Sequence, residues 1–160
     1  MQNNMSRNWS DLRNLVVYIP KLGKSVGSVV DFFFKEGTNA VYALRVHTHV
    51  NGDYALPVRG IKAIELDKVI IENENMLIKA LPPLPQSQDL IGQPVFSEKD
   101  EELGTISEVV LALNPPAAMR LSGITLASNG HKAYTISADS ISGFVDGKAV
   151  IENHIARKLS

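Results

Sequence analysis

Over most of the chain, apolar and polar positions alternate with a period of two, in short stretches closed off by turn residues, as half-buried strands require. Val16 to Ile19, Ser28 to Phe34, Asn39 to Val50, Ala55 to Val58 and Val69 to Glu72 are such stretches in the first half. Pro94 to Phe96, Thr105 to Leu113, Ile124 to Ser128, Ala133 to Ser137 and Ala149 to Asn153 follow in the second. Two of them end on Asn-Gly, at Asn51-Gly52 and Asn129-Gly130, a pair that tolerates the positive φ of tight hairpin turns. Asp146-Gly147 is a third tight turn, and Pro115-Pro116 stops a strand sharply. Helical spacing is confined to single turns at Arg59 to Glu65 and Asp139 to Ser142, and to a short C-terminal helix over Glu152 to Leu159. The pattern predicts an all-β chain. Five or so strands in roughly 70 residues point to a small closed or half-closed barrel, because closure removes the unpaired edges of an open sheet.

The two halves read as copies. Tyr54 to Asn73 and Tyr134 to Asn153 align without a gap, with identities at Tyr54/Tyr134, Ile61/Ile141, Lys68/Lys148, Ile71/Ile151, Glu72/Glu152 and Asn73/Asn153. Upstream, Val26 to Asp31 lies over Leu103 to Glu108 at an offset of 77, so three residues are added to the second copy, in the loop Asn114 to Met119. Between the copies, Leu81 to Gln88 carries three prolines, which cannot donate ladder hydrogen bonds and favour an extended, stiff conformation. The expected organisation is a flexible segment over 1–10, a barrel over 11–80, a Pro-rich linker over 81–88, a second barrel over 89–153 and a tail over 154–160. Domains of this size bury only about 60% of their unfolded surface and are marginal alone. The two copies are therefore expected to pack on one another, related by a pseudo-twofold.

Composition narrows the functional classes. The chain has 160 residues, 44% of them apolar and 21% charged, which suits one folded body or two very small ones. Sixteen Lys and Arg stand against 17 Asp and Glu, so no global field draws the chain to nucleic acid or anionic lipid. Lys21, Lys24, Lys35, Arg45, Arg59 and Lys62 make the first copy more basic than the second, with Arg157-Lys158 in the tail, and read as scattered solubilising charges. The absence of cysteine removes disulfides, thiolate metal sites and Cys nucleophiles together. Residues 1–10 are polar and no apolar run approaches a membrane span, so a cytoplasmic protein with at most peripheral membrane association is expected.

Candidate chemistry is sparse. His47 and His49 are two apart on an expected strand and share a face, a spacing that suits metal chelation, but no third ligand is evident. They read first as an exposed polar face and second as metal ligands. Gly23-Lys24-Ser25-Val26-Gly27 lacks the spacing of a phosphate loop and reads as a hairpin turn. Glu98 to Glu102 lacks the order of a calcium loop and reads as a solvated acidic turn. No serine sits in a nucleophile elbow. Phe32-Phe33-Phe34 places Phe32 and Phe34 on one face of a strand and Phe33 on the other. These rings and Trp9 are expected to fill the core and the contact between copies, and are the candidate interaction residues for an external partner.

Leu90-Ile91-Gly92-Gln93-Pro94-Val95-Phe96, followed by the acidic turn and Leu103-Gly104-Thr105-Ile106-Ser107-Glu108-Val109-Val110-Leu111, resembles the opening of the PRC-barrel. That module is named for the cytoplasmic part of the photosynthetic reaction centre H subunit and also closes a ribosome maturation factor. Its closing segment, an aliphatic-Pro-x-x-x-Ile pattern, appears as Leu56-Pro57-Val58-Arg59-Gly60-Ile61 and as Ile136-Ser137-Ala138-Asp139-Ser140-Ile141. Asn14 stands where the opening glycine would fall in the first copy, and Ser137 replaces proline in the second. The resemblance implies two tandem PRC-type β-barrels acting as a non-catalytic adaptor or scaffold for other proteins, without a cofactor, with a homodimer as a further option. Binding in ribosome or RNA maturation is the alternative, and a small-molecule or metal sensor is the second alternative; nucleic acid is not the expected partner.

Overall fold

The computed structural model describes residues 6–128, 131–145 and 148–151. Two curled sheets account for most of them. The first contains β2 (Val16–Ile19), β3 (Lys24–Phe34), β4 (Val41–Thr48), β5 (Gly52–Pro57), β6 (Ile61–Ile64) and β7 (Lys68–Ile71), hydrogen-bonded in the order β5-β4-β3-β2-β7-β6. The second contains β8 (Pro94–Ser97), β9 (Glu102–Ala112), β10 (Arg120–Ser128), β11 (His131–Ser137), β12 (Ile141–Val145) and β13 (Lys148–Ile151), in the matching order β11-β10-β9-β8-β13-β12. An additional strand, β1 (Ser6–Asn8), lies on β9.

Register shows how closely the halves match. Val17 sits between Gly27 and Val69, and Val95 sits between Gly104 and Ala149. Each long strand carries an extra residue at the same place, Val30 in β3 and Ser107 in β9, where the ladder skips one position. Such bulges bend a strand and sharpen its twist, which lets one strand serve two parts of a curled sheet. Gly27 and Gly104 occupy the crossing just before the bulge. A Cβ at Gly27 would lie 2.4 Å from the His47 carbonyl oxygen, and one at Gly104 would lie 2.6 Å from that of Ala127. Close backbone approach requires glycine at both, and at Gly104 a φ of 150° adds to the requirement.

Several sequence expectations change. β6 and β12 replace what were read as helical turns; each follows a single 3₁₀ turn, Val58–Gly60 and Ala138–Ser140. Residues 6–10 are not a flexible segment: β1 and the one-turn helix α1 (Trp9–Leu12) occupy them, because Ser6, Arg7 and Asn8 complete the edge of β9. The Asn51-Gly52 turn is a three-residue loop between Thr48 and Gly52, with Gly52 at a φ of 79° and Asn51 N–H donating to the Thr48 hydroxyl. The expected turns at Asn129-Gly130 and Asp146-Gly147, the tail and its helix lie outside the described residues. So does the side chain of His131.

One hydrophobic core runs through both halves. It includes Trp9, Phe32, Phe34, Leu44 and Leu56 from the first and Leu90, Val95, Leu111, Met119 and Leu126 from the second. Burial of this shared interior compensates for the smallness of each copy. Among the described residues, no helix is long and apolar enough to cross a membrane.

Candidate functional site: the joint between the halves

The residues that open each copy are exchanged onto the other copy. α1 packs on β9, and the helix that opens the second half, α2 (Ser87–Leu90), packs on β3. Just before each helix the chain completes the edge of the same foreign strand: Asn8 pairs with Val110, and Gln86 bridges to Phe33. Phe34 N–H donates to the Pro85 carbonyl at 3.0 Å, a role that proline, lacking an N–H, can fill. The Pro-rich segment is thus no free spacer. It lies along the first sheet, and Leu84 covers Phe33, Ala43 and Ala55.

Two carboxylates anchor the exchange. Asp31 is 8% exposed, and its Oδ1 accepts from the Phe32 N–H at 2.7 Å, from the Ser87 N–H at 2.9 Å and from the Ser87 hydroxyl. Glu108, its counterpart, accepts from the Val109 N–H at 3.0 Å and from the Ser10 N–H at 3.4 Å. A carboxylate satisfying donors at the start of a foreign helical turn is a cap supplied by the neighbouring copy. A trough of about 490 Å³ lies here, with Arg13, Gln88 and Ile91 on its walls.

At the same C-terminal ends of β3 and β9 the copies also pair directly, through the residues that open β4 and β10. Ala40 bridges to Arg120; Val41 N–H donates to the Met119 carbonyl at 3.0 Å, and Leu121 N–H donates to the Asn39 carbonyl at 2.7 Å. Val41 and Asn39 correspond to Leu121 and Met119 in the duplication, so the two bonds are reciprocal and a pseudo-twofold passes between Ala40 and Arg120. Asn39 Nδ2 adds a 3.0 Å hydrogen bond to Asp139. Beside this bridge is a hollow of about 350 Å³ lined by Lys35, Tyr42, Pro57, Val58 and Arg59 from the first copy and Ala117 from the second. Lys35 Nζ stands 5.5 Å from the centre of the Tyr42 ring, within cation–π range.

The aromatic residues singled out in the sequence lie in the interior, and the two histidines lie at the surface. Trp9, Phe32, Phe33 and Phe34 are all buried, at 3% exposure or less. They are internal packing residues rather than an outward interface, because α1, the joint and Leu84 cover them. Trp9 meets Phe32 edge-on at 5.1 Å, and Phe32 and Phe34 lie 6.2 Å apart on the shared face that alternation requires. His47 and His49 turn to separate partners. His47 Nδ1 lies 2.6 Å from Asp53 Oδ1, and His49 Nε2 lies 3.1 Å from the Ser25 hydroxyl. Among the described residues, no group of three or more His, Cys, Asp or Glu is placed to hold a metal ion. Asp53 also accepts from Arg45 Nε at 2.7 Å, and Arg45 reaches Gln86 at 3.1 Å, tying β4 to the opening of the second copy. The His47 hydrogen bond and the Arg45 guanidinium hold the Asp53 carboxyl below its ordinary range, against the opposing pull of partial burial. The acidic run is a turn closed by the Ser97 hydroxyl, which accepts from the Lys99 and Glu101 N–H groups.

The family pattern of the PRC-barrel domain matches the chain twice, over residues 6–79 and 86–154. The chain belongs to the PRC-barrel family. Its tandem copies are those read from the duplicated sequence, and both matches begin with the exchanged segments, so each PRC-barrel includes the opening residues that dock on its sister. A comparison with curated proteins gave no match.

Proposed function

We propose that this tandem PRC-barrel protein is a non-catalytic, cytoplasmic adaptor that holds other proteins in a larger assembly. The PRC-barrel of the photosynthetic reaction centre H subunit serves as the example for this reading. The observation that supports it most is the exchange at the joint. Each barrel completes the other through a strand edge, a one-turn helix and a capping carboxylate, so two small modules form one firm body with a single relative orientation. A fixed orientation is what a scaffold needs to present surfaces from both copies at once, because it limits the ordering cost of engaging a partner. Exposed Leu22, Tyr42, Val50 and Leu66 give that body outward apolar points.

A pull-down with the tagged full chain tests this reading. A defined set of proteins that persists after nuclease treatment is the expected result. Co-sedimentation with ribosomal particles, lost as salt rises, would instead favour the maturation role. A ligand-dependent rise in melting temperature without any protein partner would favour a sensor.

A further inference from the structure

We propose that the hollow lined by Lys35, Tyr42 and Arg59, with Arg120 paired to Ala40 at its edge, docks a short acidic segment of a partner protein carrying one apolar anchor residue. This rests on the adaptor reading and names where the partner binds and with what chemistry. Ala40 and Arg120 face each other across the joint, and residues directly opposite on paired strands leave the sheet on the same side, as does Tyr42 two positions along. The Tyr42 ring is 40% exposed and sits beside the apolar floor made by Pro57, Val58 and Ala117.

Charge supports the choice of partner. Lys21, Lys24, Arg45, Lys62 and Lys68 all have a carboxylate within 4.0 Å, whereas Lys35, Arg59 and Arg120 have none among the described residues. The nearby Asp139 carboxylate is engaged by Asn39, and Glu36 follows Lys35 in an exposed turn. Two uncompensated cations beside an aromatic ring and an apolar floor, with Arg120 across the strand pairing from Ala40, favour carboxylates flanking one hydrophobic side chain. A long polyanion fits poorly. Residues 86–154 carry nine Asp and Glu against four Lys and Arg, so the second copy as a whole disfavours a long polyanion. Because Ala117 on its wall comes from the second barrel, the site is complete only when both copies are joined.

Fluorescence anisotropy of a labelled twelve-residue Asp/Glu peptide containing a single Leu, titrated with the full chain, tests the proposal. Saturable binding that weakens with added salt is expected. Lys35→Glu with Arg59→Glu should weaken it at least about tenfold, and Arg120→Glu or Tyr42→Ala by about threefold or more. Circular dichroism melting checks that each variant folds; if the double reversal lowers the melt, Arg59→Gln alone is expected to weaken binding about threefold. Unchanged affinity in the folded variants would overturn the proposal, as would a single-stranded RNA twelve-mer that binds more tightly than the peptide. The pull-down separates the two readings. A double-reversal variant that still captures the wild type's protein partners overturns the hollow and leaves the adaptor role standing. A wild type that binds the peptide but captures no protein does the reverse.

Discussion

Replacing Asp31 with alanine deletes the single oxygen on which the Phe32 N–H, the Ser87 N–H and the Ser87 hydroxyl converge. Phe32 is fully buried and Ser87 is 5% exposed, so water has little access to the stranded donors. A hydroxyl can rotate toward another acceptor, but the two amides cannot. Each buried donor left unpaired costs about 1–3 kcal/mol, giving about 2–6 kcal/mol for the pair, a large share of the roughly 5–15 kcal/mol that keeps a domain folded. At about 2–4 °C per kcal/mol for a chain of this size, the melting temperature falls by about 4–24 °C. Glu108→Ala removes the reciprocal acceptor, yet Glu108 is half-buried and its Ser10 contact is long at 3.4 Å. Its loss should stay below about 1 kcal/mol. Asp31→Asn keeps an acceptor in place and should recover more than half of the alanine deficit. Thermal and urea unfolding followed by circular dichroism supplies the comparison. Equal losses at the two acids, or a loss below about 1 kcal/mol at Asp31, would refute the account of the exchange as a pair of caps of unequal burial.

Gly27→Ala and Gly104→Ala each force a Cβ onto a carbonyl oxygen of the adjoining strand, and each should cost about 1–3 kcal/mol in urea unfolding; a neutral result at both would contradict the close crossing. The Asp53 carboxyl is held low when folded, so its contribution to stability is present above the unfolded value near 4 and fades as pH falls through the lower folded value. Asp53→Asn should therefore flatten that part of the acid limb, read from urea midpoints between about pH 6 and about pH 3. Leu84→Ala uncovers Phe33 and should speed hydrogen exchange at the Phe34 amide, which is bonded to Pro85, more than at amides of β13.

Sequence pattern carried the duplication, ten of the strands and the location of the added loop. The Val41/Leu121 correspondence falls at an offset of 80 and Asp31/Glu108 at 77, so the three added residues lie between Glu108 and Leu121, as expected. β6 and β12 were less legible, because a strand of four or five residues directly after a 3₁₀ turn shows neither period over enough positions. The exchange was not legible at all. Whether Ser87 caps against its own barrel or the neighbouring one depends on linker path and joint geometry, and its local pattern is the same in both cases. Phe33 illustrates the related difficulty: alternation placed it on the face opposite Phe32 and Phe34, but only the returning Pro-rich segment shows how that face is covered. In the basic set of the first copy, Lys35 and Arg59 looked like Lys21 and Lys62. Only cross-strand geometry distinguishes those that find a carboxylate from those that do not.

The swapped openings also constrain descent and engineering. A duplication whose members had merely been strung together could lose or shuffle a unit and leave a working remainder. Here, deleting either unit would strip the survivor of an edge segment and a turn that it never encoded for itself. Substitutions at Ser10, Asp31, Ser87 and Glu108 are therefore answerable to the opposite half of the chain, while positions facing solvent in the two halves remain free to drift apart. Such divergence gives a once symmetric body two dissimilar exteriors, one near charge balance and one acidic.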